Sequence, residues 1–279
     1  MVVLSHYQAK KVLSAQHDGM GSVELSLDLG LSTTQVLLHP QGLQLPDGKL
    51  VKWIDIEAMA KSTSSCYVIE DGLPRAIQFY SEFTDRVYSL YPTSSAPTML
   101  VSGIPMHRIK DTDPHRDTLE KIRAIKPLVG QVLDTATGLG YTAIEAARTA
   151  ENVITIELDP AALKVCRLNP WSQGLFDNAK IIQMIGDSFD VVAGMDAGRF
   201  TRVIHDPPAF HIAGDLYSGE FYRELYRVMR NRSILFHYIG DPESKSRRST
   251  TAGVIRRLEQ AGFRQVRRVP RAFGVVAVK

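Results

Sequence analysis

The stretch Gln131-Val132-Leu133-Asp134-Thr135-Ala136-Thr137-Gly138-Leu139-Gly140-Tyr141 decides how the rest of the chain is read. Its apolar run predicts a short buried strand ending on an acid, and the glycines turn the chain into a helix beginning near Thr142. Glycine has no Cβ, so the backbone of such a turn lets a ligand come close. Gly-x-Gly turns are common, and the turn alone is a weak signal. The next two strands repeat the pattern. Residues 153–157 end on Glu157 in Ile156-Glu157-Leu158-Asp159-Pro160, and residues 180–185 end in Gly186-Asp187-Ser188. A carboxylate at the second tip suits the two ribose hydroxyls of a nucleoside, and the acceptor-rich third tip suits an adenine amino group. Asp159 and Asp187 also read as helix N-caps.

Working outward, Asp113-Pro114 opens a helix reaching about Ile125, and Lys126-Pro127 ends it. Strands follow at 202–205 and 233–238, with helices near 142–150, 160–168, 188–193, 218–230 and 250–261. Residues 264–269 and 272–278, separated by Pro270-Arg271, read as a hairpin. This alternation predicts a doubly wound α/β sheet, mostly parallel, with an antiparallel edge strand. Ligands of such sheets bind outside the carboxyl ends of the strands. Residues 1–107 differ. After a short helix at 7–13, Val23, Leu25, Leu27 and Leu29 alternate with polar residues, and His39-Pro40, Pro46-Asp47-Gly48 and Asp71-Gly72 mark turns. That pattern predicts a small β-rich N-terminal domain built from hairpins, preceding a catalytic domain of residues 108–279.

The fourth strand leads into Val203-Ile204-His205-Asp206-Pro207-Pro208-Ala209-Phe210. Consecutive prolines fix φ and remove two backbone donors, so Asp206 and the carbonyls beside it are held rigidly at the open end of the sheet. A rigid acceptor there holds an amine N–H while the nitrogen lone pair faces a methyl group, which is catalysis by positioning. Phe210 suits a flat substrate; the plainer alternative is a turn with a packed Phe. His205, His237 and Tyr238 gather on neighbouring strands, either as a general base or, more commonly for such residues, as structural hydrogen-bonders.

The runs VLDTATGLGYTAIEAA, VITIELDPAAL and IGDSFDVV resemble class I S-adenosylmethionine-dependent methyltransferases. The resemblance implies a Rossmann-like methyltransferase sheet with S-adenosyl-L-methionine as cofactor. It places Asp134, Gly138 and Gly140 against the methionine part, Glu157 at the ribose, and Asp187 and Ser188 at the adenine, with Ala136, Thr137, Tyr141, Thr142, Leu158 and Asp206 also binding the cofactor. One departure is Ala136, which stands where the family usually has glycine and resists φ > 0. Because Ala143 completes a Gly-x-Gly-x-x-small pattern, a nicotinamide-dependent oxidoreductase is the outside alternative. The Asp-Pro-Pro-x-Phe element resembles that of some RNA methyltransferases, which implies Asp206, Pro207, Pro208 and Phe210 as the catalytic set. Those that methylate cytosine C5 need a cysteine at the next strand tip, where this chain has Ile234-Leu235-Phe236-His237-Tyr238. A base nitrogen is therefore the expected methyl acceptor. With residues 103–114, the catalytic domain also resembles predicted archaeal-type methyltransferases.

Composition sets the outer bounds. The 279 residues are 44% hydrophobic and 23% charged, and no apolar run approaches the length of a membrane span. The N-terminus turns polar too soon for a signal-peptide core. Cys66 and Cys166 offer neither a disulfide framework nor metal-ligand spacing, which suits the cytoplasm. The net charge of +3 is uneven, because residues 223–279 carry +10 and the rest −7. Arg247, Arg248, Arg256, Arg257, Arg264, Arg267, Arg268 and Arg271 either track an RNA backbone or form a solvated face. The N-terminal domain serves as an RNA-binding module, a lid or a homodimer surface. The alternatives on the same fold are a small-molecule methyltransferase and a polyamine-type aminopropyltransferase. The latter calls for a cluster of acids, of which Asp206 is one. An RNA-binding protein without turnover is the non-enzymatic alternative.

Overall fold

Hairpins dominate the first third of the computed structural model, which describes residues 1–210, 212–240 and 248–279. Arg247 and the side chain of Arg248 lie outside the described part. The chain divides into two units, Met1–His115 with Ala161–Gln173, and Arg116–Pro160 with Gly174–Lys279. The first unit contains β1 (Val2–Ser5), α1 (His6–His17), β2 (Ser22–Leu25), β3 (Thr34–His39), β4 (Gly42–Gln44), β5 (Leu50–Lys52), α2 (Trp53–Lys61), β6 (Cys66–Glu70), β7 (Leu73–Ala76), β8 (Gln78–Ser81), β9 (Arg86–Tyr91), β10 (Thr98–Val101) and β11 (Ile104–Pro105). These strands form three sheets, ordered β1-β6-β7, β2-β3-β4-β5 and β11-β10-β9-β8. Asp71 and Gly72, both at positive φ (52° and 79°), make the tight turn of the β6–β7 hairpin. Ser5 caps α1 in a capping box with Gln8, which satisfies amides the helix leaves unpaired.

The alternation at residues 23–29 predicts a longer strand than β2. The ladder stops at Leu25 because polar side chains capture the next backbone donors. Ser26 Oγ accepts from Gly30 N at 2.6 Å, and Asp28 Oδ1 accepts from Ser32 N at 2.9 Å. Local side-chain bonds of this kind compete with a strand ladder. Leu25 and Leu29 are still buried.

The second unit is built on β12 (Gln131–Asp134), β13 (Asn152–Glu157), β14 (Ile181–Ile185), β15 (Phe200–His205), β16 (Met229–Tyr238), β17 (Arg264–Val269) and β18 (Gly274–Val278). The helices before and between these strands in the chain are α3 (Pro114–Ala124), α4 (Tyr141–Ala147), α5 (Pro160–Leu168), α6 (Ser188–Ala193), α7 (Gly219–Val228) and α8 (Arg248–Gln260), and α5 after its first residue falls in the first unit. The sheet order is β14-β13-β12-β15-β16-β18-β17, parallel except at β18. The sequence predicts one antiparallel strand at the edge. In the structure the strand antiparallel to its neighbours, β18, lies inside, and β17 forms the edge. Side-chain chemistry accounts for the placement: Gly274 to Ala277 are buried, whereas Arg264, Arg267 and Arg268 are exposed.

Helix α7 shows how the core is held. Ser218 caps it through Phe221 N at 3.1 Å, and Phe221, Tyr222, Leu225 and Val228 bury one face. Fully burying a side chain of the Leu or Phe kind contributes about 1.5–3 kcal/mol. Leu133, Ile156, Val203 and Leu235 supply sheet residues to the same core. Among the described residues, no helix is long and apolar enough to cross a membrane.

Candidate active site

Because β12 to β15 are parallel, their carboxyl ends lie on one side of the sheet. Chain order reverses between β12 and β15, and ligand crevices of open sheets form at such a reversal. Asp134, the last residue of β12, is fully buried. Its Oδ2 accepts from Thr142 Oγ1 at 2.9 Å and Thr155 Oγ1 at 3.1 Å. Thr137 Oγ1 lies 2.7 Å from Thr155 Oγ1, and with the Thr155 proton committed to Asp134 it is Thr137 that donates. Asp134 Oδ1 is buried without a well-aligned hydrogen bond, with only the Ala136 amide helping to hold its charge. Burial pushes this carboxyl up to about 7 despite the two threonine bonds, and the charge of Asp206 adds to the rise.

The loop after Asp134 has two left-handed residues, Gly138 (φ 52°) and Gly140 (φ 76°). A Cβ on Gly140 would come 2.9 Å from Leu175 Cδ2, whereas one on Gly138 would meet nothing within 4 Å. Gly138 therefore leaves open space beside the backbone, and Gly140 lets α4 start tightly against its neighbour. Ala136 is not at positive φ, so its replacement of glycine brings no strain. Thr137, Tyr141 and Thr142 are buried and form the inside of the turn.

Glu157, half-buried at the end of β13, takes the Gly138 amide on Oε2 at 3.0 Å and the Asp159 amide on Oε1 at 3.1 Å. A carboxylate has about four lone-pair sites, so acceptor capacity remains. Crowded surroundings push this carboxyl up to about 7, against the amides of Asp159, Gly138 and Leu158. Beside it Leu158 exposes 40% of its surface, an apolar wall at a strand tip. Asp187 is exposed and caps α6 through Phe189 N at 2.7 Å. Ser188 is buried, and its hydroxyl donates to the Thr135 carbonyl, tying the third strand tip to the first.

The fourth tip holds groups that the sequence reading does not connect. Residues 114, 117, 118, 121, 122 and 125 form the buried stripe of α3 and its end. Asp117 and Lys121 fall within it, and the stripe carries them to Asp206. Lys121 Nζ lies 2.8 Å from Asp117 Oδ2 and 2.6 Å from Asp206 Oδ2. The same ammonium stands 4.7 Å from the centre of the Tyr238 ring, at the end of β16. Burial works against the lysine charge, but Asp206 and Asp117 outweigh it and hold the group charged above its ordinary range. Pro207 is buried, and the Pro208 carbonyl accepts from Tyr217 OH at 3.1 Å. Phe210 is 54% exposed and packs edge-on against Tyr217 at 5.4 Å.

His205 and His237 are fully buried and bonded through both ring nitrogens. His205 Nε2 donates to the Leu216 carbonyl at 2.8 Å, and Nδ1 faces Thr135 Oγ1 at 2.7 Å. His237 Nδ1 donates to the His205 carbonyl at 3.2 Å, and Nε2 accepts from Tyr222 OH at 2.9 Å. Burial pushes His205 down to about 4 and lowers His237 as well, so both rings are neutral hydrogen-bonders near pH 7. Of the basic series, Arg257 turns inward to the Tyr217 carbonyl at 2.9 Å, while Arg256, Arg264, Arg267, Arg268 and Arg271 are exposed.

Solved structures share this architecture. The spermidine synthase of Thermotoga maritima aligns with a TM-score of 0.56 at 17% identity, over 76% of this chain and 77% of that one. A spermidine synthase in complex with the transition state analogue AdoDATO gives 0.59 at 16% identity, over 76% and 78%. MnmC2 from Aquifex aeolicus gives 0.50 at 17% identity, over 68% and 70%. With the observed strand order, these likenesses define a class I methyltransferase-type α/β fold. No family model matches the sequence. Over 97% of its length the chain is 42% identical to the uncharacterized protein MJ1233 of Methanocaldococcus jannaschii, covering 93% of it, and it belongs to that protein's family. A 121-residue stretch is also 31% identical to the polyamine aminopropyltransferase of Mycobacterium tuberculosis, spanning 40% of this chain and 23% of that protein.

Proposed function

We propose that the protein is an S-adenosyl-L-methionine-dependent methyltransferase acting on a nitrogen acceptor. The observation that carries this reading is the contact between the glycine loop and the second strand tip. There, Glu157 holds the Gly138 amide at 3.0 Å and keeps acceptor capacity beside open backbone. The residues suit the donor: Asp134 has a buried carboxylate oxygen lacking a well-aligned partner, Glu157 keeps acceptor capacity for a ribose hydroxyl, and Leu158 offers an apolar face. Asp187 keeps a role at the adenine besides capping α6. The bound donor supplies a methyl carbon activated by its sulfonium. Asp206 accepts an acceptor N–H and orients the nitrogen, while Phe210 presents its ring to a flat group. The five exposed arginines support an RNA base as the acceptor.

A second reading is aminopropyl transfer to an amine, favoured by the 31% identical stretch. One experiment separates them. The protein is incubated with either methyl-labelled S-adenosylmethionine or propyl-labelled decarboxylated S-adenosylmethionine, against RNA, DNA, protein extract and polyamines. Label from the methyl donor in RNA is the expected result. Label only from the decarboxylated donor in the polyamine fraction replaces the first reading with the second.

A further inference from the structure

We infer that Lys121 is a positioning residue that presents Asp206 to the acceptor as a fixed anion, which selects acceptors carrying an N–H. The inference rests on the transferase reading above and deepens it.

One ammonium stands between two carboxylates, at 2.8 Å and 2.6 Å, and so holds both. The Asp117 side chain is 0% exposed and that of Lys121 2%, while that of Asp206 is 17% exposed. Of the three, Asp206 is the member that reaches solvent. A buried ion cluster is a poor stabilising device, because apolar residues of similar volume usually do as well or better. What the cluster does achieve is orientation. Lys121 ties Asp206 Oδ2 inward to α3, and Pro207-Pro208 stiffens the backbone that follows. A cation at this distance favours the ionised carboxylate and keeps it a weak base. Asp206 therefore receives a hydrogen bond while the nitrogen lone pair forms the new N–C bond, the donor's C–S bond breaks to release the thioether, and the extra proton on nitrogen passes to solvent. An amine or exocyclic amino group meets a fixed acceptor, whereas a carboxylate or phosphate oxygen meets repulsion. Among the described residues, the charged and titratable groups around the cluster include Asp117 and Lys121 on α3, Asp134 on β12, His205 on β15 and Tyr238 on β16.

The test follows the Asp206 carboxyl by carbon-13 NMR in the donor-free protein, using D206N to assign the resonance. In wild type the resonance stays at its charged position down to the acid limit of the fold. In K121M its titration moves to higher pH, and K121R restores the wild-type curve. K121Q, whose amide still donates a hydrogen bond, reports the same shift should K121M not fold. With donor and acceptor, K121Q lowers kcat about 100-fold while donor affinity by calorimetry stays unchanged. Identical carboxyl titrations in wild type, K121M and K121Q overturn the inference. Absence of donor binding in wild type overturns the functional reading instead, and the carboxyl titration still decides the role of Lys121.

Discussion

Asp134 and Asp206 stand on or just beyond the ends of adjacent strands, and the protein accommodates them in opposite ways. Asp134 is sealed among threonine hydroxyls with no cation bonded to it, and burial pushes its carboxyl up to about 7. Asp206 is paired with a buried ammonium that a second carboxylate holds in place. Hydroxyls supply hydrogen bonds but no charge, so ionised Asp134 strains the fold until a cation arrives. Asp206 carries its compensation within the chain. The contrast separates a buried carboxylate held by hydroxyls from a carboxylate held by an ammonium.

The harshest way to break this contrast is K121M. It leaves Asp117 and Asp206 without their cation and costs about 3–5 kcal/mol in urea denaturation; a loss below 1 kcal/mol means the pair is not compensated as described. D134N acts on the other corner with the opposite sign. The folded carboxyl near 7 lies above the ordinary value of 3.8, so its contribution to stability is intact below pH 3.8 and declines as pH rises, being lost above about 7. Glu157 declines in the same direction over a similar window. D134N therefore flattens the stability curve between those limits and leaves the donor-free protein roughly 2–4 kcal/mol more stable at pH 8 than wild type. A D134N curve parallel to wild type refutes the titration. E157Q sharpens the donor side: affinity for S-adenosylmethionine by calorimetry falls about 10–100-fold, the worth of one charged hydrogen bond. The smallest effect is expected from D187A, which loses the α6 cap and about 1 kcal/mol in thermal unfolding.

Much of the sheet was legible because its strands are short apolar runs that end on acids and enter helices. The glycine turn was equally legible, since few residues other than glycine accept φ > 0. The pairing of Lys121 with Asp206 was not, because 85 residues separate them and the Asp117–Lys121 spacing alone reads as a surface pair. A signal was present: Asp117 and Lys121 share a helix face with Pro114 and Ile125, where a charge needs a buried partner. The enclosure of Asp134 was hidden for a similar reason, as its hydroxyl partners come from a helix 8 residues away and a strand 21 residues away. The Asp187 cap was legible because it reaches an amide only two residues on, whereas the Ser188 bond to the Thr135 carbonyl depends on how the third tip meets the first.

The row of guanidinium groups on β17 has a use that requires no ligand. An edge strand offers unpaired amides and carbonyls to any other strand, and a second copy of the sheet could add there. Arg264, Arg267 and Arg268 make such an approach bring like charges together on top of the cost of dehydrating them. Part of the basic character of the last 57 residues thus guards the sheet against polymerising through its own edge.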